Sequence, residues 1–275
     1  LNAHWLNDYA LYVVLKKHFN GDGWAGWPVD FRDRHPDALK DFSTGHAEEI
    51  GREKFTQYLF YRQWTGLREY CSLKGIGLIG DIPIYVNYDS VDVWVQPGFY
   101  KIDENKRPMF VAGVPPDYFS KDGQRWGNPV YNWDRLKEAG FSWWVKRVQH
   151  NLGIFDIVRI DHFRGFCQYW EIPASEKTAV KGAWRDVPGE ELFSVFQKEI
   201  PGLPIIAEDL GIITKDVDAL KEKFGLPGMK VLLFAFHNDY RESRDLPENY
   251  TPHSVVYTGT HDNNTVRGWY ENDIA

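Results

Sequence analysis

The stretch Phe155-Asp-Ile-Val-Arg-Ile-Asp161 decides the fold, because a short apolar run ends there on a carboxylate. Three further runs end in the same way, at Asp81, Glu208 and Asp262. A continuous run of Val, Ile and Leu is typical of a buried parallel strand. Acids at the carboxyl ends of such strands lie where barrel and open α/β enzymes hold their chemistry. A polar turn explains one such acid equally well, but four in one chain favour an active site.

Helical patterns alternate with these strands. Apolar residues three and four positions apart predict helices over residues 48–74, 141–152, 192–200 and 214–224. Gly75 is placed to end the first helix, and 229–236 reads as a further strand. Strands that alternate with helices at this spacing predict right-handed βαβ units. We therefore expect an α/β fold built on a parallel sheet.

Residues 87–133 interrupt this rhythm with Pro, Gly and Asn dipeptides and show no periodicity. The segment is too aromatic and varied for low-complexity disorder, so we interpret it as an ordered lid inserted in the domain. Its aromatic side chains could be buried in the hydrophobic core, or they could be flat platforms that bind the C–H face of a sugar. They are Trp94, Phe99, Tyr100, Tyr118, Phe119, Trp126, Tyr131 and Trp133.

Composition bounds the class of protein. The chain has 275 residues, 43% of them hydrophobic, which suits a globular fold. A formal net charge of −7 argues against nucleic-acid or anionic-membrane partners. With only two cysteines, no disulfide framework is implied, and a reducing compartment, the cytoplasm by default, is expected. No apolar stretch is long enough to span a membrane, and the first residues do not resemble a signal peptide.

The acids suggest a particular division of labour. Two carboxylates that face one bond can cleave a glycoside with retention, one as nucleophile and the other as acid and base. Arg159 precedes Asp161 by two residues, so both point to one face of a strand, and the guanidinium would favour the ionised Asp161. Glu208 ends a more apolar run, where desolvation would raise its pKa. His261 and Asp262 could bind sugar hydroxyls.

Several motifs resemble those of amylomaltases, the 4-α-glucanotransferases also called disproportionating enzymes. They are Asp156–Phe166, Ala207–Gly211, Tyr257–Thr265, Gly80–Val86 and Gly113–Pro129, and the resemblance covers essentially the whole chain. It implies transfer of α-1,4-glucan segments between maltooligosaccharides or dextrins derived from starch or glycogen, with no cofactor and no metal. By resemblance, Asp161 is the nucleophile, Glu208 the acid and base, and Asp262 the transition-state stabiliser. The implied substrate contacts are Asp81, Arg159, His261, Asp117, Gln124, Trp126 and His162.

The resemblance also refines the expected fold. The family implies a (β/α)₈ barrel, and the five barrel-type strands of this sequence resemble its third to seventh. The chain starts at Leu1 within a helical pattern and ends soon after its last strand, so we expect both ends to be cut. Residues 1–275 would then be a catalytic barrel fragment with 87–133 as its inserted lid, and 113–129 as the active-site loop. Plastid members of the family make the plastid an alternative location.

Three other interpretations stay open. An α-amylase-type hydrolase has the same acid trio and differs in the acceptor, water instead of a sugar hydroxyl. A metal-dependent hydrolase could use the pairs Asp161-His162 and His261-Asp262 as ligands, although the usual ligand motifs are missing. A non-catalytic glucan-binding protein would use the aromatic residues alone.

Overall fold

The computed structural model describes residues 2–117, 120–236 and 243–272. The helices are α1 (Ala3–His18), α2 (Val29–Arg32), α3 (Pro36–Gly45), α4 (Ala47–Leu73), α5 (Val91–Val95), α6 (Trp133–Glu138), α7 (Ser142–Ile154), α8 (Gly189–Glu199), α9 (Lys215–Phe224) and α10 (Val266–Asn272). The strands are β1 (Ile79–Ile82), β2 (Phe110–Val114), β3 (Gln124–Pro129), β4 (Ile157–Ile160), β5 (Gln168–Pro173), β6 (Ala183–Asp186), β7 (Ile205–Ala207), β8 (Gly228–Val231) and β9 (Ser254–Tyr257).

The chain divides into two compact units. Unit 1 comprises residues 1–78, 85–147 and 168–187, and unit 2 comprises residues 79–84, 148–167 and 188–275. Unit 1 therefore holds α1 to α6 and the strands β2, β3, β5 and β6, which form one antiparallel sheet in the order β3-β2-β5-β6. Unit 2 holds the parallel strands β1, β4, β7, β8 and β9.

The parallel strands of unit 2 confirm the α/β expectation. Strands β1, β4 and β7 pair in that order, with Gly80 beside Val158 and Val158 beside Ile205. Strands β8 and β9 form a second parallel pair, and the Ala207 N–H donates to the Pro227 carbonyl at 2.9 Å, linking β7 to the start of β8. All residues of β7 and β8 are buried, as a continuous apolar run predicts.

The expectation of a strand over 229–236 is wrong in its second half. Strand β8 ends at Val231, opposite the last residue of β9, and Leu232–Phe236 forms a 3₁₀ helix. Because β9 ends at Tyr257, the described residues offer the rest of the apolar run no strand to pair with. Periodicity alone does not separate a short strand from a helical turn, so the sequence did not reveal this end point.

Residues 87–133 contain more regular structure than their sequence suggests. Besides α5, they include β2 and β3, and β2 pairs with β5 through Val111 and Ile172. Because β5 lies outside the segment, this pairing is not visible in the local pattern. Gly113 is required in β2, since a Cβ there would meet the Gln124 carbonyl oxygen at 2.1 Å. The role of the segment as a lid stays a prediction.

Four of the aromatic residues in this segment, Trp94, Tyr100, Tyr131 and Trp133, are core residues, so the interpretation as a sugar platform is wrong for these four. Tyr131 is fully buried, and rings that contact it include Tyr85, Tyr100, Trp133 and Trp144. Trp94 is also fully buried, and its indole N–H donates to the Phe31 carbonyl. Phe99 is half-buried, Tyr118 and Phe119 lie outside the described residues, and Trp126 is 37% exposed.

The helix expected over 48–74 is confirmed as α4, with an end that follows from Gly75. Gly75 has a φ of +70°, its N–H donates to Ser72, and the Ile76 N–H donates to Cys71, the pattern of a Schellman motif. Several of its apolar residues are nevertheless exposed, among them Tyr58 by 55% and Tyr70 by 59%. Within the described residues, Ile50 is the buried position of this helix.

Across these same ranges, no helix is both long and apolar enough to cross a membrane.

Candidate active site

A buried arginine joins two of the strand-end acids in unit 2. In the pairing of β1 with β4, Asp81 lies beside Arg159, and Asp161 is two residues further along the same face. Arg159 Nη1 donates to both oxygens of Asp81, at 2.8 and 2.7 Å, and its Nη2 lies 3.0 Å from Asp161 Oδ1. Arg159 is 8% exposed, so this charge is held in a desolvated position. The structure thus brings together three of the residues that the sequence predicts.

Glu208 follows β7 directly and is held by backbone donors. The His162 N–H donates to Oε2 and the Leu210 N–H to Oε1, each at 2.7 Å, while the Glu208 N–H donates to the Ile160 carbonyl. Burial raises the pKa of Glu208 to about 7, and the negative charge of Asp161 adds to this. The two N–H donors and Arg159 act in the opposite direction. The raised pKa agrees with the prediction from its apolar strand.

Burial also raises the pKa of Asp161. Arg159 lowers this pKa as the sequence predicts, whereas Asp81 and Asp262 raise it. The net shift of this pKa is upward because desolvation outweighs the guanidinium, whereas the sequence predicts a downward shift from Arg159 alone.

His162 holds Glu208 through its backbone. Its φ of 51° and ψ of 51° are left-handed, and this conformation turns the chain from β4 into the 3₁₀ helix Phe163–Phe166. Burial, with the charge of Arg164, lowers the pKa of His162 to about 4, so the imidazole is neutral near pH 7. A contact between the His162 side chain and substrate stays a prediction. Backbone donation from His162 and Leu210 was missed, because a main-chain N–H leaves no mark in residue type.

Asp262 and His261 lie in the loop after β9. Both side chains are mostly exposed, and His261 Nε2 is 3.4 Å from Asp262 Oδ1. The Asp262 N–H donates to Thr260 Oγ1 at 3.2 Å, which orders the turn. The charge of Asp262 reaches Asp161 and raises its pKa. In the described structure it is therefore an electrostatic neighbour of the site.

The remaining predicted contacts belong to unit 1. Asp117 forms a local turn in which its Oδ1 accepts from the Ser120 N–H at 2.8 Å. Trp126 Nε1 donates to Gln124 Oε1 at 3.1 Å, and its indole is partly exposed. Their contact with substrate stays a prediction.

Asp209 faces away from Glu208, as expected of a structural acid. It is 5% exposed, its Oδ1 accepts from the Met229 N–H at 2.7 Å, and its Oδ2 pairs with Lys221 of α9. Across the ranges given above, no three His, Cys, Asp or Glu side chains are grouped to hold a metal ion.

A parallel α/β sheet with acids at its strand ends places this chain in the class of α/β glycoside-hydrolase-like folds. The chain belongs to the 4-alpha-glucanotransferase family, whose model matches residues 1–275. It is 53% identical over 270 residues to the 4-alpha-glucanotransferase of Thermus thermophilus, covering 98% of this chain and 54% of the relative. It is 44% identical to the chloroplastic/amyloplastic 4-alpha-glucanotransferase of Solanum tuberosum, covering 98% of this chain and 46% of that one.

A solved structure agrees with this assignment. The amylomaltase from Streptococcus agalactiae in complex with acarbose matches with a TM-score of 0.95 and 45% identity, over 98% of this chain and 55% of that one. The chain thus spans about half the length of the relatives it matches.

Proposed function

We propose that the intact protein is a 4-α-glucanotransferase that moves α-1,4-glucan segments between maltooligosaccharides by a retaining double displacement. The observation that carries this is Glu208, a half-buried strand-end acid that accepts two backbone N–H groups and has a pKa of about 7, raised in part by the charge of Asp161. A carboxyl group with this pKa is partly protonated near neutral pH and can both give and take a proton. Membership of the family supplies the substrate class.

In the first displacement, an Asp161 oxygen attacks the anomeric carbon and the bond to the glycosidic oxygen breaks. Glu208 donates its proton to that oxygen, and the shortened glucan leaves with a free 4-hydroxyl. In the second displacement, the 4-hydroxyl of an acceptor sugar attacks the anomeric carbon, Glu208 takes the hydroxyl proton, and Asp161 is released as a carboxylate. Two inversions give net retention.

The coupling between the two acids supports this exchange of roles. The negative charge of Asp161 raises the pKa of Glu208, so the free enzyme keeps the proton that the first step needs. When Asp161 is esterified to the sugar, that charge is lost and the pKa of Glu208 falls. Glu208 then ionises, which is the form required to accept the proton of the acceptor hydroxyl.

The other predicted residues are proposed as substrate contacts. Asp262 would bind hydroxyls more tightly as the sugar ring flattens, and His261 would assist it. Asp81, Arg159 and His162 would contact the sugar beside the nucleophile.

Asp117, Gln124 and Trp126 are proposed to contact the glucan through the 113–129 segment, as the family resemblance implies. The exposed face of Trp126, held by Gln124, supports a stacking role. Trp126→Ala should raise the KM for maltotriose about two- to tenfold, given about 0.5–1.5 kcal/mol for an aromatic contact. An unchanged KM would remove Trp126 from the contacts.

The five parallel strands are proposed to be part of a (β/α)₈ barrel, corresponding to its third to seventh strands. The two free thiols, Cys71 and Cys167, support a reducing compartment, the cytoplasm or the plastid.

Maltotriose as sole substrate tests the proposal. Transfer should yield glucose and maltodextrins longer than maltotriose, with a constant number of reducing ends. Only glucose and maltose, with reducing ends rising as bonds break, would instead establish a hydrolase. Binding of maltodextrin without turnover would establish a glucan-binding protein.

A further inference from the structure

Arg159 has a third contact that the transfer chemistry does not explain. Its Nε donates to the Met229 sulfur at 3.3 Å, while its two Nη atoms meet Asp81 and Asp161. Met229 is 1% exposed and Arg159 is 8% exposed, so water has little access to this N–H. The thioether is the acceptor that the structure provides for it.

A thioether suits this position because it is a weak, neutral acceptor. A carboxylate would compete for the charge that Arg159 offers to Asp161. An aliphatic side chain would leave the Nε–H buried without an acceptor, at a cost of about 1–3 kcal/mol. The arginine would recover part of this cost by rotating, which would move Nη2 away from Asp161.

The backbone of Met229 is held as firmly as its side chain. Its N–H donates to Asp209, and the carboxylate of Asp209 is in turn paired with Lys221. Gly228 allows this close approach, since a Cβ there would lie 2.7 Å from the Asp209 oxygens. The start of β8 is therefore docked on Asp209, and this sets where the Met229 sulfur meets Arg159.

We propose that Met229 is a positioning residue, which orients the guanidinium of Arg159 so that it aligns the attacking oxygen of Asp161. This proposal rests on the proposed function. Asp209, which is paired with Lys221, holds the backbone of Met229 in place. Met229 itself touches no reacting atom, and its effect on transfer passes through Arg159.

Met229→Leu and Met229→Gln test the proposal in the intact protein. Leucine has a similar volume without an acceptor, whereas the glutamine Oε1 can accept from Arg159. Met229→Leu should lower kcat for maltotriose transfer about tenfold or more with KM changed less than about twofold, as misalignment at the reacting centre predicts. The acidic limb of its pH profile should move to higher pH, because a misaligned Arg159 stabilises the Asp161 carboxylate less. Met229→Gln should restore most of the rate and the position of the limb.

Met109→Leu is the matched control, because Met109 is 47% exposed and lies in unit 1. It should leave kcat, KM and the pH profile unchanged. Wild-type kcat and an unmoved acidic limb in Met229→Leu would overturn the proposal. A loss of rate in both Met229 variants to the same extent, at wild-type Tm, would mean that the sulfur only fills space.

A second measurement does not depend on the variants. In the wild-type protein, the Arg159 Nε–H should exchange with solvent at least about tenfold more slowly than that of an exposed arginine such as Arg52, as a buried, hydrogen-bonded N–H should. Equal rates, measured by ¹⁵N NMR, would overturn the proposal even if Met229→Leu does not fold. An inactive wild type would instead refute the proposed function and leave this geometric test in force.

Discussion

Replacing Glu208 with glutamine isolates the energetic consequence of its burial. The carboxyl has a pKa of about 7 in the folded protein against an ordinary value of 4.5, so its ionisation costs about 3 kcal/mol more in the folded state than in the unfolded chain. An acid whose pKa is raised by folding keeps its proton longer in the folded state. The stability that this proton contributes is complete below pH 4.5 and is lost as pH rises to about 7.

The assay is equilibrium urea unfolding of wild type and Glu208→Gln from pH 4 to 8. Glutamine has one oxygen for the two N–H donors of His162 and Leu210, so the variant loses one backbone hydrogen bond, worth about 1–3 kcal/mol. This loss does not depend on pH. The unfolding free energy of the wild type minus that of the variant should therefore fall by about 3 kcal/mol between pH 4.5 and 7.

Glu190→Gln is the control for the loss of one carboxylate, since Glu190 is an exposed acid on α8 of the same unit. Transfer by Glu208→Gln should fall by about 10²–10⁴-fold, with maltodextrin affinity retained. In the wild type, the rate should decline above pH 7 as Glu208 loses its proton. A stability difference that does not vary with pH, or wild-type transfer in the variant, would refute the assignment of Glu208 as the acid and base with a raised pKa.

Two further predictions follow from the close contacts of unit 2. Gly228→Ala should destabilise the protein by about 1–3 kcal/mol, because its Cβ would meet Asp209 at 2.7 Å, whereas Gly153→Ala, with open space at that position of α7, should stabilise by about 0.5–1 kcal/mol. Equal unfolding midpoints for the two variants would contradict this. Arg159→Lys should lower kcat at least about tenfold, since one ammonium group cannot make the two-sided contacts of the guanidinium. It should also move the acidic limb of the pH–rate profile to higher pH, because Asp161 loses part of its counter-charge. A pH–rate profile that superimposes on that of the wild type would contradict this.

Much of the parallel sheet was predictable from local pattern. The apolar runs before Asp81, Asp161 and Glu208 form strands because a doubly covered strand needs apolar side chains on both faces. The long helix α4 follows from its apolar spacing. Its end follows from Gly75, because glycine adopts the left-handed backbone conformation there without strain.

Exposure was not predictable in the same way. The apolar face of α4 forms a helix as predicted, but Tyr58 and Tyr70 are more than half exposed. Conversely, Tyr131 and Trp94 occur in a loop-like sequence and are fully buried. Periodicity describes one element, whereas burial depends on what another part of the chain places against it. The pairing of β2 with the distant β5 escaped the local pattern for the same reason.

The sequence by itself determined which acids end the strands, that Arg159 shares a face with Asp161, and which family the motifs resemble. Only the tertiary structure decided how those acids differ. Glu208 and Asp209 are neighbours in the chain, yet one accepts two N–H groups beside Asp161 and the other anchors β8 through Met229. The direction and size of a pKa shift depend on desolvation and on charges brought together from separate strands. Those distances exist only once the chain has folded.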